Sequence, residues 1–196
     1  ADDQTRLYGD VNPALTVSYA GFENGDDATD LTTQPTATCA ATAADDVDTY
    51  DITAAGGVDE NYAFTYVTGT LSVTPAPVTC TADDRSKAYG QANPALTITY
   101  TGLKNGEAAP ATPPDIACAA DATSGVGTYA ITLANGSDGN YTLTLHDATL
   151  TVTEKLLTVT ADDQTRLYGD VNPALTISYA GFENGDDATD LTTQPT

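Results

Sequence analysis

The sequence predicts a mainly β protein built from small modules repeated in tandem, and three observations predict it. First, the run Tyr8-Gly9-Asp10-Val11-Asn12-Pro13-Ala14-Leu15-Thr16, with Gly21-Phe22-Glu23-Asn24-Gly25-Asp26 after it, recurs from Tyr89 and again from Tyr168, 81 and then 79 residues further on. A period that regular means one folding unit copied along the chain. Second, the segments between these runs alternate apolar and polar residues, the period of a half-buried strand. Third, Thr, Ala, Gly and Asp dominate, Trp and Met are absent and Lys is scarce. That composition resembles extracellular β-rich repeat proteins more than cytosolic enzymes.

Each element follows from its residues. Gly9 and Asn12-Pro13 set a turn, because proline fixes φ and offers no donor to a ladder. Leu15–Tyr19 then alternates as a strand, and Gly21 with Asn24-Gly25 closes it. Asp26–Leu31 is predicted to make one short helical turn, its early carboxylates favoured by the helix dipole. Ala37–Ala41, Thr49–Ala54, Asn61–Tyr66 and Thr70–Thr74 are the remaining strands of the first copy. Pro75-Ala76-Pro77 reads as a short, stiff linker. The second copy repeats the pattern with strands at Val78–Ala82, Leu96–Tyr100, Asp115–Ala119, Gly127–Leu133, Asn140–Leu145 and Ala148–Thr153. Leu156–Thr160 opens the third.

The repeat divides the chain into an odd module at 1–76 that lacks its first strand, a complete even module at 77–154, and the first half of the next odd module at 155–196. Residues 161–196 repeat residues 1–36 with the single change of Val17 to Ile177. The duplicated unit is therefore 160 residues, an odd module plus an even one. Near-identity at that length implies a parent chain with many such units. An incomplete module leaves an exposed sheet edge. Either the native chain continues, or another subunit supplies the missing strand by β-addition. The regular period favours continuity, and the near-abutting modules favour an elongated rod or fibre over beads on a string.

Charge bounds the partners. The chain carries 28 Asp plus Glu against six Lys plus Arg, a net −22. Such a surface repels nucleic acid and anionic lipid, keeps a polymer hydrated and condenses divalent cations. No apolar run is long enough to span a membrane, so neither nucleic acid nor membrane insertion is expected.

The blocks Tyr89–Thr97, Gly102–Glu107, Gly127–Ile131, Asn140-Tyr141 and Thr149–Thr153, with their counterparts in the other copies, resemble the MBG repeat of the YGX type. Departures are mild: Leu103 and Glu107 in the second copy, Asp48-Thr49-Tyr50 in the first. The resemblance implies a compact, mostly β fold of β-grasp character. It also implies a place in a large bacterial surface or secreted protein, with a stalk or adhesive role and no catalytic residues to carry over.

Among candidate sites, the cysteines come first. Alternation points Cys80 and Cys118 inward, and an oxidising compartment favours a disulfide between them over buried thiols. Cys39 is left free or available for an intermolecular bond. The clusters Asp26-Asp27-Asp30 and Asp45-Asp46-Asp48 are candidates for calcium, but neither has the spacing of a calcium loop; solvated loop carboxylates are the simpler reading, and no cofactor is expected. Asn135 and Asn140 head glycosylation triplets. Tyr8, Tyr89 and Tyr168 open the turn motif with Gly9, Gly90 and Gly169, Asn12, Asn93 and Asn172, and Pro13, Pro94 and Pro173. Their rings suit either sugar stacking or packing over a core edge, and presence in every copy favours packing. His146 is the single histidine, and no nucleophile–base set is visible, so an enzyme is not expected.

The functional expectation is a non-catalytic structural repeat of a bacterial surface or secreted protein, forming an extracellular stalk or filament for adhesion or biofilm matrix. Its partners are neighbouring copies of the repeat and a cell-surface or glycan receptor. The alternatives are a carbohydrate-binding module and a subunit that polymerises by strand exchange.

Overall fold

The computed structural model describes residues 1–195. In chain order the strands are β1 (Gln4–Leu7), β2 (Thr36–Cys39), β3 (Thr49–Ala55), β4 (Gly69–Thr74), β5 (Ala76–Ala82), β6 (Arg85–Ala88) and β7 (Ile98–Thr101). They continue as β8 (Asp115–Cys118), β9 (Gly127–Ala134), β10 (Tyr141–His146), β11 (Ala148–Thr153), β12 (Thr158–Ala161) and β13 (Ile177–Ala180). Single 3-10 turns at Ala28–Asp30 and Ala188–Asp190 stand where the short helical turn is predicted. Each is closed by a reciprocal cap, Asp27 with Asp30 and Asp187 with Asp190.

Two four-stranded sheets share one design, β1-β4-β3-β2 and β6-β11-β9-β8. In each, the last strand of the repeat runs antiparallel to one neighbour and parallel to the other. Thus β4 pairs antiparallel with β3 and parallel with β1 in the register Gln4↔Leu71, and β11 does the same with β9 and β6 in the register Leu150↔Arg85. The alternation puts Ile52, Ala54, Leu71 and Val73 inside the first sheet, and Ile131, Leu133, Leu150 and Val152 inside the second. Fully burying one such side chain contributes about 1.5–3 kcal/mol. A smaller sheet has the order β10-β5-β7, and β12 pairs with β13 alone.

The compact units of the chain cross the repeat boundary. Unit 1 comprises Ala1–Cys80, Tyr100–Asp115 and Ala134–Leu145, so it adds most of the sheet β10-β5-β7 to the body of the first repeat. It buries Tyr8, Ala76, Val78, Cys80 and Tyr141 with the first sheet's core. Unit 2 comprises Thr81–Thr99, Ile116–Leu133 and His146–Thr196. Its core is built on Ile131, Leu150 and Val152.

Four features differ from the sequence reading. Leu15–Tyr19 and Asn61–Tyr66 form no strands, although their counterparts β7 and β10 do. The reason is that β7 and β10 both pair with β5, and residues 1–76 hold no segment in the place of β5. Pro75-Ala76-Pro77 is not a linker: Ala76 is fully buried, opens β5 and donates its N–H to the Asn140 carbonyl at 2.9 Å. The strands β1 and β6 were not anticipated, because their buried inward positions are Arg6 and Lys87 rather than apolar residues. Strand ends also shift, β7 beginning at Ile98 and β12 at Thr158.

Candidate functional site: the repeat junction

The Tyr-Gly motif is a turn that leaves the edge strand of each body sheet. Tyr8 N–H bonds the Thr74 carbonyl at 2.8 Å and Tyr89 N–H bonds that of Thr153 at 2.9 Å. Gly9 and Gly90 follow at φ 78 and 83, a region where a side chain is strained. Inside the turn sits a cation. Arg6 is 6% exposed and donates from Nε to Asn12 Oδ1 at 2.8 Å and from its guanidinium to the carbonyls of Leu7 and Thr42. Asn12 Nδ2 in turn donates to the Ala41 carbonyl. The asparagine of the motif therefore ties the turn to the strand β2 region, which is why an amide is needed at that position. In the second repeat Lys87 takes the arginine's place and its Nζ donates to the carbonyls of Gln91 and Asp121. Asn93 keeps its bond to the Ala120 carbonyl, but its buried Oδ1 has no partner.

The second half of the motif, Gly-x-x-Asn-Gly, is a tight loop. Asn105 and Gly106 have φ 53 and 78, and Glu107 N–H closes on the Lys104 carbonyl at 3.0 Å. Two successive positive φ values demand this Asn-Gly pair. The loops at Asn24-Gly25 and Asn184-Gly185 are built alike.

Turn and loop meet across the repeat boundary, the first repeat's turn against the second repeat's loop within unit 1. Tyr8 lies edge-on to Tyr141, ring centres 5.3 Å apart at 90°. Its hydroxyl donates to Glu107 Oε1 at 2.6 Å, and Tyr141 Oη accepts the Lys104 N–H at 2.8 Å. Asn105 Nδ2 donates to the Ala43 carbonyl, and Asn140 bonds both Val47 N–H and Asp46. A Cβ on Gly9 would overlap the Lys104 side chain. Lys104 Nζ pairs with Asp10 at 3.0 Å, a half-exposed contact worth about 0–1 kcal/mol. The buried aromatic edge contact contributes about 0.5–1.5 kcal/mol beyond its area.

The junction recurs in unit 2. Glu183 occupies the space against Gly90, Asn184 Nδ2 donates to the Ala122 carbonyl at 3.2 Å, and Lys155 pairs with Glu183 at 2.8 Å. Tyr89 is half-buried there. Tyr168, Gly169, Asn172 and Pro173 form the same turn in the third repeat, with Tyr168 fully exposed.

Both phenols of the first junction are held neutral. Burial pushes Tyr141 up to about 12, helped by Glu107 and opposed by the Lys104 N–H. The bond to Glu107 raises Tyr8. These groups bind one another.

The remaining candidates have local duties. Asp27 caps the 3-10 turn, Asp26 accepts the Tyr62 hydroxyl at 2.7 Å, Asp45 closes on Thr42, and Asp48 accepts the Thr49 N–H. Bonds from Thr29 and from Thr42 hold Asp27 and Asp45 below the usual carboxylate range. No group of three or more His, Cys, Asp or Glu is arranged to hold a metal among the described residues. Asn135 donates to Asp115 and Asn140 lies in the junction. His146 ends β10. All three cysteines are thiols in the structure: Cys80 is fully buried in β5, whereas Cys118 and Cys39 are half-buried on other sheets, in β8 and β2. Burial pushes the Cys80 thiol up.

Sequence reasoning placed the motif residues in a turn but missed their partners. Arg6, Lys87 and Arg166 account for three of only six cations and share one repeat position, a signal that pointed to an inward role.

A chain in which one β module recurs, and in which the turn of one copy seats the loop of the next, is a tandem β-repeat protein. The repeat matches the model of the MBG domain (YGX type) over residues 1–72, 78–151 and 157–196, and the chain belongs to that family. Neither the curated proteins nor the solved structures compared with it gave a match.

Proposed function

We propose that the chain is a structural segment of a bacterial extracellular surface protein, a stalk or filament in which the repeats act as spacers that set reach and resist extension. The observation that carries this reading is the junction itself. It forms between one repeat's Tyr-Gly turn and the next repeat's Asn-Gly loop, and it is built twice from the same positions. Only Pro75 separates β4 from β5, so tension passes between repeats with almost no slack. Within each repeat the force path also favours a stalk. The parallel pairs β1–β4 and β6–β11 place an early and a late strand of the repeat side by side. Pulling the chain ends apart loads those ladders in shear, so their bonds must break together.

The stalk reading implies an oxidising, external location and partners at the far end, a cell-surface or glycan receptor for adhesion or a biofilm matrix. A carbohydrate-binding role for the motif tyrosines has less support, because Tyr8 is buried against Tyr141 and bonded to Glu107. Electron microscopy of the native full-length material, with antibody labelling on intact cells, tests the proposal. Thin surface filaments with a beaded period of one module are expected. Discrete compact particles, or label confined to the cytoplasm, would overturn it.

A further inference from the structure

In the second repeat β5 is the middle strand of β10-β5-β7. The glycine that follows β7 makes room for it: a Cβ on Gly102 would come within 2.6 Å of the Pro77 carbonyl oxygen. In the third repeat Gly181 stands in the same relation to β12, 3.0 Å from the Leu156 carbonyl oxygen. The equivalent glycine of the first repeat, Gly21, has nothing within 4 Å. Beside it lies a groove of about 160 Å³ between Val17–Phe22 and Tyr62–Tyr66. These two walls are the counterparts of β7 and β10, and neither is laddered. The groove has the walls of a three-stranded sheet and lacks the strand between them.

We infer that this groove is a strand acceptor and that its occupant is the β12 segment, Leu156–Ala161, of a second molecule of the same chain. The internal repeat specifies the fit. β12 occupies the repeat position of β5, and its present partner β13 lies in a stretch that matches the groove wall at every residue except Val17 against Ile177. Exchanging β13 of one molecule for the wall Val17–Ala20 of another therefore swaps like for like. The gain is the second wall: Asn61–Tyr66 acquires a ladder, and β12 acquires a neighbour on its free edge. Pairing two open edges and covering the apolar groove favours the exchange.

A second face supports the same occupant. In unit 1 the ring of Tyr141 stands against Tyr8, whereas in unit 2 Tyr89 borders a cavity of about 460 Å³ shared with Lys155, Phe182 and Glu183. Tyr62 is the repeat counterpart of Tyr141. When β12 enters the groove of a second molecule, that molecule's Tyr62 arrives beside Tyr89, where Tyr141 stands beside Tyr8. One docking event thus completes both faces, and its heterologous geometry repeats end to end. Strand acceptance would survive failure of the stalk reading, because it depends on the repeat and not on where the chain resides.

Sedimentation of the purified 196-residue chain in 0.15 M salt, enough to screen its net charge of −22, tests this directly. Multiples of 20.1 kDa are expected. An excess of the peptide Glu154–Asp162 should return them to single chains. A Val159→Pro chain, whose β12 loses a ladder N–H, should sediment as a monomer with an unchanged circular dichroism spectrum and thermal transition. A wild-type chain that stays monomeric at the highest attainable concentration would overturn the proposal. So would multimers that neither the peptide nor Val159→Pro dissolves.

Discussion

Arg6 and Lys87 occupy one repeat position, yet only one of them satisfies its neighbour. The arginine Nε reaches Asn12 Oδ1, while the lysine leaves Asn93 Oδ1 buried without a partner. An unsatisfied buried acceptor costs about 1–3 kcal/mol. Lys87→Arg should therefore raise the denaturation midpoint, by about 1 kcal/mol, and Arg6→Lys should lower it by a comparable amount; paired urea titrations check both. The same comparison shows what the residues alone could tell. An arginine in an alternating polar run such as Gln4–Leu7 does not read as a strand, because hydrophobic periodicity is blind to a guanidinium buried among carbonyls. The turn residues Gly9, Asn12 and Pro13 were legible, since their backbone needs are local.

At the scale of elements, the turn and loop of the junction are separable by substitution. Gly9→Ala meets both a positive φ and the Lys104 side chain, whereas Gly169→Ala meets a positive φ and open space. Both should lose about 1 kcal/mol to strain, and Gly9→Ala should lose clearly more; thermal melts of the two variants measure the difference. Proton linkage gives an independent handle. Tyr141 is raised from 10.0 to about 12 in the folded chain, so the neutral phenol is the form the fold favours. Its contribution is fully present below pH 10 and is lost as the pH rises toward about 12. Stability should fall across that window, and Tyr141→Phe should flatten the fall. Strand existence at this scale was largely readable from alternation. Leu15–Tyr19 and Asn61–Tyr66 alternate as well as their counterparts do and still form no ladder, because a strand needs a partner that its own sequence cannot announce. The docking of Tyr8 on Tyr141, across a separation of 133 residues, was likewise invisible to any local pattern.

For the whole molecule, the repeat was the clearest signal, and it set the family and the β character. It did not reveal that the compact unit straddles the repeat boundary. Each body sheet is completed by residues of the next copy, as Tyr8 is by Tyr141 and Gly9 by Lys104. Duplication therefore multiplies junctions as well as modules, and a chain can lengthen without a new core being invented. The acidic surface fits that scheme, since like charges on neighbouring chains oppose random association while a specific strand contact can overcome them.

Single-molecule pulling on an array of several repeat units tests the central claim most directly, that the repeats are coupled modules loaded in shear. The account predicts a series of discrete force peaks. Each should release the length of one module of about 80 residues, roughly 260–290 Å of extended chain, with Gly9→Ala and its counterparts lowering the peak force. A smooth low-force extension without peaks would contradict it.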